Sequence, residues 1–227
     1  MTIQEAHTEF KFRMDKFDSL NYPNFLPEEI DLILNQAQDR YVKQRYGITN
    51  PKRQSFEETQ KRTEDLKKLV INAVLTPAPN AVDNIDINAQ FVTLPTDHWF
   101  IIQERCEVSF LNCKNTSETT LLKVKPIQHN EFDEAMINSF RKPDKTKVLR
   151  LMEDGRVEII HAPDVNLLNY KLRYLKEPVR VDINNNITFE LSEHTHTEII
   201  DEAVKIALEG IEARRTPTFG PIDTTKE

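Results

Sequence analysis

The spacing of apolar residues changes character twice along the chain, and those two changes constrain the fold more than any single motif. Up to about residue 75 apolar residues recur every three or four positions, as on one face of a helix. From Thr76-Pro77-Ala78-Pro79 onward, β-branched and aromatic stretches alternate with turn residues, the pattern of strands. Beyond Leu191 the helical interval returns. The expected fold class is therefore α+β, a helical bundle formed by the N- and C-terminal helices with an inserted antiparallel β-sheet or small barrel. The expected parts are a helical part over 1–75, a β-rich insertion over 76–191, a closing helix over 192–215 and an extended arm over 216–227. A chain of 227 residues accommodates one domain with an insertion or two small domains.

In the first helix Ile3, Ala6, Phe10, Met14 and Phe17 share a face, and Phe12 falls off it. Such a stripe serves as core or as a surface laid on a partner subunit. A second helix starts at Pro27, whose missing N–H costs nothing in the first turn, and Glu28, Glu29 and Asp31 suit the positive end of its dipole. Ile30, Ile33, Leu34, Ala37 and Tyr41 form its buried stripe, and Gly47 is expected to end it in a left-handed cap. Ser55-Phe56-Glu57-Glu58 reads as a capping box for a third helix running to about Val74. Ser192 is expected to cap a long last helix carrying Ile199, Ile200, Ala203, Val204, Ala207, Leu208 and Ile211, with Arg214 and Arg215 at its end.

Strands are expected over 90–94, 99–111, 119–125, 147–152, 156–161, 168–175 and 187–191, with a short helix from Glu131 to Phe140. Asp154-Gly155 reads as a type I′ hairpin turn, and Asn184-Asn185-Asn186 as a weaker turn signal.

Chemistry is easier to exclude than to find. The four glycines, Gly47, Gly155, Gly210 and Gly220, are scattered, whereas phosphate-cradling loops need them clustered so that backbone can approach the ligand. Neither a P-loop nor a Rossmann enzyme fits. The net charge of −7 opposes general binding of nucleic acid, and the excess is local: residues 181–227 hold 4 basic and 10 acidic side chains. No apolar run approaches the roughly 18 residues of a membrane span, so no membrane partner is expected. Cys106 and Cys113 are too few for a disulfide framework and read as reduced core thiols. Lys123, Lys125, Arg141, Lys142, Lys145 and Lys147 form a locally basic stretch, read as a solvated loop between strands.

The best metal candidate is His194-x-His196 with Glu198 and Asp201 nearby. On a helix, residues two apart point roughly 200° apart, so both imidazoles cannot meet one ion; only His194 and Glu198 share a face. These residues read as an exposed first turn, and no metal, cofactor or catalytic residue is assigned. His98, His129 and His161 are scattered, and Glu153-Asp154 belongs to the hairpin turn. A metal-dependent enzyme using His194 and His196, and a soluble protein-binding adaptor, stand as the alternative readings.

Two segments carry a resemblance. Leu26-Pro27-Glu28-Glu29-Ile30-Asp31 through Gln38-Asp39-Arg40-Tyr41-Val42-Lys43, followed by Tyr46-Gly47, resembles the ring, or head-to-tail connector, proteins of crAss-like tailed bacteriophages. Leu191-Ser192-Glu193-His194 through Leu208-Glu209 and Arg214-Arg215 is similar to the closing helix of phage neck and tail-tubular adaptors. The resemblance implies a non-enzymatic structural protein of the virion neck, made in the host cytoplasm, with identical subunits forming a dodecameric ring. Its partners are the portal protein and other neck and tail proteins, and DNA passes through the channel without specific binding. An acidic C-terminal region lining such a channel would keep DNA from sticking. The interface residues expected on this reading are Phe10, Met14, Phe17, Arg214, Arg215, Phe219 and Ile222. Phe219 and Ile222 are the two apolar anchors of the extended arm.

Overall fold

A computed structural model of the chain describes residues 1–17, 25–47, 57, 59–78, 84–111 and 116–210, with side chains through residue 14 in the first of these segments. The chain divides into two compact units, one formed by Met1–Leu69 and Pro178–Glu227, the other by Val70–Glu177.

The first unit is helical. Helix α1 (Ile3–Phe17) and helix α2 (Pro27–Tyr46) both pack on helix α5 (Glu193–Gly210), and the short helix α3 (Gln60–Leu66) packs on α2. Ile3, Ala6, Phe10 and Met14 are buried, as are Ile30, Leu34, Ala37 and Tyr41 of α2 and Ile199, Ile200, Ala203 and Val204 of α5. Pro27 opens α2 as expected, and the Leu26 N–H donates to the Glu29 carboxylate at 2.8 Å. Gly47 differs from expectation. Its φ of −69° and ψ of 149° are extended, and its N–H closes the last turn on the Lys43 carbonyl without a left-handed residue.

The third helix is shorter than its apolar pattern suggested. It stops at Leu66, passes through a 3₁₀ turn over Lys67–Leu69, and strand β1 (Val70–Leu75) follows. Val70, Ile71 and Val74 are β-branched and fit a strand better than a helix. They gain a complete antiparallel ladder, from Val70 opposite Leu175 to Leu75 opposite Tyr170.

The second unit is a curled seven-stranded sheet. Strands β2 (Ala89–Thr93), β3 (His98–Leu111), β4 (Ser117–Pro126), β5 (Lys147–Glu153), β6 (Arg156–Ile160) and β7 (Val165–Lys176) join β1 in the order β1-β7-β3-β4-β5-β6-β2. Just past β1, Ala78 forms an isolated antiparallel bridge to Phe91 of β2, so the two edges of the sheet are brought together there. Three register shifts in β3 against β7, at 98/100, 101/103 and 107/108, bend the long strand.

The sheet is mixed, which corrects the antiparallel expectation. β4 and β5 run parallel over Lys123–Pro126 and Lys147–Arg150. A parallel pair needs a crossover of a dozen or more residues, and residues 127–146, with helix α4 (Phe132–Ile137), supply it. One face of the sheet holds the main core, including Cys106, Val108, Leu122, Val124, Tyr170 and Leu172. On the other face Phe132 and Ala135 of α4 cover Ala89, Leu149, Leu151 and Ile160.

Two turns are refined. The Asp154-Gly155 turn joins β5 to β6, but only Gly155 has positive φ, at +68°. A positive φ confined to the second central residue is the type II pattern and not type I′. The turn at Asn184–Asn186 places Asn186 at φ +54°, with Asn184 and Asn185 N–H groups donating to the Asp182 carboxylate. The expected strand over 187–191 forms no ladder. Only Ile187 bridges, to Asp182, although Phe189 and Leu191 are buried in alternation as a strand pattern demands.

Candidate interaction surfaces

The polar interior of the helical unit is organised around Arg45. Its guanidinium faces Glu198 at 2.6 Å and Asp65 at 3.4 Å, and it stacks 5.0 Å from the centre of the Tyr41 ring. Tyr41 donates to Glu198 at 3.2 Å, and Lys61 stands 3.3 Å from the same carboxylate. Burial alone would raise the Glu198 pKa, but the hydrogen bond and charge of Arg45, with Lys61, hold it below the ordinary carboxylate range. Asp65 has no exposed surface, and its second partner is His194 at 2.8 Å. Glu202 and Glu209 pair with Arg40, and Asp201 with Arg13. Much of the acidic excess of the C-terminal region is thus engaged in joining α5 to α1, α2 and α3.

The candidate histidines are held apart, as helical geometry requires. His194 turns to Asp65, whereas His196 is buried, faces the Leu191 carbonyl at 3.1 Å and tilts against Phe189 with ring centres 5.1 Å apart. An exposed first turn therefore describes His194 but not His196. Burial, ahead of all other influences, lowers the His196 pKa. Among the described residues no cluster of three or more His, Cys, Asp or Glu side chains converges as a metal site. Ser192 also differs from expectation, since its hydroxyl donates to the Glu64 carbonyl of α3.

Of the residues expected at an interface, Phe10 and Met14 lie buried within their own unit. The Phe17 side chain, and Arg214, Arg215, Phe219 and Ile222, lie outside the described residues. The same is true of Cys113 and most of the 55–58 capping box. Cys106 is buried, and burial raises its thiol pKa well above the ordinary range.

A cleft of about 750 Å³ opens beside α2. It is built on a ladder of polar side chains at positions 31, 35 and 38, one stripe of the helix, which hold an extended segment of chain. Asn35 both donates to the Val181 carbonyl at 3.0 Å and accepts from its N–H at 2.8 Å. Gln38 donates to the Val179 carbonyl at 3.0 Å, and Asp31 accepts the Ile183 N–H at 3.0 Å while its other oxygen faces His7 at 2.7 Å. Three apolar side chains on the cleft stay exposed: Leu32 at 58%, Val179 at 46% and Ile187 at 36%. Glu28 and Asp182 add negative charge to the lining.

The β unit carries a row of cations that no local reading revealed. Strand register sets Lys171 of β7 opposite Arg105 of β3, Arg105 opposite Lys123 of β4, and Lys123 opposite Lys147 of β5. Direct partners share a sheet face, and strands lie about 4.8 Å apart, so the row crosses four strands over about 14 Å. Lys171 has Glu107 at 3.1 Å and Lys147 has Asp144 at 3.4 Å. Arg105 and Lys123 are exposed and have no acidic partner among the described residues. Lys123 and Lys147 were visible in the sequence as members of a basic stretch, but Arg105 and Lys171 are distant in sequence and reach them only through pairing. Beside the row, β3 and β4 separate below Arg105 and Lys123, leaving a cleft of about 650 Å³. Glu104 and Arg150 line it 3.3 Å apart, and Tyr170 donates to Glu104 at 2.5 Å.

No helix among the described residues is long and apolar enough to cross a membrane. Among the described residues the polar groups of the helical unit are engaged in intramolecular ion pairs, and open clefts lie beside α2 and between β3 and β4. The chain is 26% identical over 226 residues to Ring protein 3 of Bacteroides phage crAss001, covering 92% of this chain and 95% of that protein. It is 22% identical over 231 residues to Ring protein 4/5 of the same phage, covering 91% and 92% respectively. The family model described as phage tail ring protein 3/4 matches residues 1–217, nearly the whole length, and the chain belongs to that family of crAss-like phage structural proteins.

Proposed function

We propose that the chain is a ring subunit of the virion neck that joins portal to tail and leaves an open channel for DNA. The observation that carries this reading is the match to the tail ring family across both the helical unit and the β unit. A ring of identical copies uses heterologous contacts, in which one surface of each subunit meets a different surface of the next. Two unlike surfaces on one chain, an apolar cleft with acidic groups and an exposed cationic row, suit that requirement. The ring is dodecameric on this reading, its partners are the portal protein and neighbouring neck and tail proteins, and the fold serves a mechanical role without catalysis.

The test is co-assembly. Purified chain is mixed with the portal ring of the same phage and imaged by electron cryomicroscopy, the expected product being a closed ring, twelve-fold and coaxial with the portal. Failure to associate with portal or with any neck or tail protein overturns the reading. A subunit that copurifies with a stoichiometric metal ion bound through His194 or His196 overturns the non-enzymatic part.

A further inference from the structure

The cleft beside α2 leaves Leu32, Val179 and Ile187 exposed together, a grouping of large apolar side chains that usually marks a binding surface. Its volume is about 750 Å³. Glu28 and Asp182 make it attractive to cations, and Arg180, the basic side chain on this lining, is already engaged.

One stretch of the same sequence has the complementary chemistry. After Gly210, the last described residue of α5, 17 residues follow, and within them two arginines, Arg214 and Arg215, precede Thr216-Pro217-Thr218-Phe219-Gly220-Pro221-Ile222. Pro217 and Pro221 favour an extended backbone and reduce the entropy lost on docking. Phe219 lies nine residues beyond Gly210 and Ile222 twelve, so at about 3.3 Å per residue a fully extended chain spans at most about 30 and 40 Å from Gly210.

We propose that the α2 cleft receives the segment Arg214–Ile222 of the neighbouring copy in the ring, with Phe219 and Ile222 covering Leu32, Val179 and Ile187, and the two arginines facing Glu28 and Asp182. Each copy then carries both halves of a heterologous contact: the arm reaches forward, and the cleft receives the arm from behind. Closure around an axis follows if the rotation per step divides the circle. The inference rests on the ring reading and adds the receptor for the arm.

The experiment uses the full-length chain with Cys113→Ser throughout. One preparation carries Leu32→Cys and a second carries Phe219→Cys, so that a disulfide between the introduced residues is intermolecular by construction. Under mild oxidation with portal present, the expected product is a dimer-sized band from the mixture, absent when Leu168→Cys on the β unit replaces Leu32→Cys. Leu32→Asp and deletion of 216–227 are each expected to lower ring yield at least tenfold with circular dichroism unchanged. Wild-type yield from Leu32→Asp overturns the docking site. So does a cross-link that forms only within one chain when both cysteines are on the same copy, or no cross-link in assembled rings. In each of those cases rings still form, so the ring reading stands; absence of rings from the unmutated chain removes both.

Discussion

The side-chain amide of Asn35 is hydrogen-bonded to both backbone groups of Val181, receiving its N–H at 2.8 Å and donating to its carbonyl at 3.0 Å, across 146 residues of sequence. The pair brackets the whole β unit in the chain, so the returning segment is held to α2 as though a strand partner were present. Asp31 and Gln38 repeat the contact one turn on either side, at Ile183 and Val179. An amide or carboxylate every three or four positions along a helix can therefore replace a sheet edge in satisfying extended backbone.

Asn35→Ala removes both partners of Val181 at once. Orphaning a buried backbone group costs about 1–3 kcal/mol, and partial access of water keeps the expected loss near the lower end for each of the two groups. Urea denaturation followed by tryptophan-independent circular dichroism at 222 nm reads it out, since Trp99 lies in the other unit. An unchanged midpoint means that the ladder does not hold the segment.

Arg45→Met leaves Asp65 buried without its cation. Removing one partner of a buried ion pair costs about 3–5 kcal/mol, whereas replacing both by apolar residues is often neutral. The double variant Arg45→Met/Asp65→Leu is therefore expected to recover much of the loss, although it also releases Glu198 and His194. Thermal melts of the two variants give the comparison, and equal destabilisation by both contradicts it.

Acidification acts on the helical unit through His196. Burial lowers its folded pKa below the ordinary value of 6.5, so between those two values the unfolded chain binds more protons than the folded one. Stability is thus expected to fall as pH drops below about 6.5 and to continue falling until the folded pKa is reached. His196→Gln, which keeps a donor for the Leu191 carbonyl, is expected to flatten the dependence of midpoint on pH between 7.5 and 5.5. A variant that keeps the full slope assigns it to another group.

Like charges directly opposite one another weaken a sheet, and Lys123 sits between Arg105 and Lys147. Lys123→Glu is expected to stabilise the β unit by about 0.2–1 kcal/mol, because each neighbour gains an opposite charge. The gain is expected to shrink in 1 M salt, where charges are screened over about 3 Å. Stabilisation accompanied by poorer assembly identifies the row as kept for a partner and not for folding.

Residue spacing alone located helices at Ile3–Phe17, Pro27–Tyr46 and Glu193–Gly210, and six of the seven strands, because amphipathic period is a local property written into neighbouring residues. It misplaced β1, where Val70–Leu75 satisfies a helical stripe as well as an alternating one, and the choice was made by the ladder with β7. It also gave a strand at 187–191, where the alternation of Phe189 and Leu191 is real but no neighbouring strand supplies hydrogen bonds. The parallel neighbours β4 and β5, the Arg45–Asp65 pair, the α2 ladder and the cationic row are contacts between residues tens to well over a hundred positions apart. Such contacts depend on which strand lies beside which and in what register, and register is fixed by the summed burial of a whole face, a quantity that no short stretch of sequence contains.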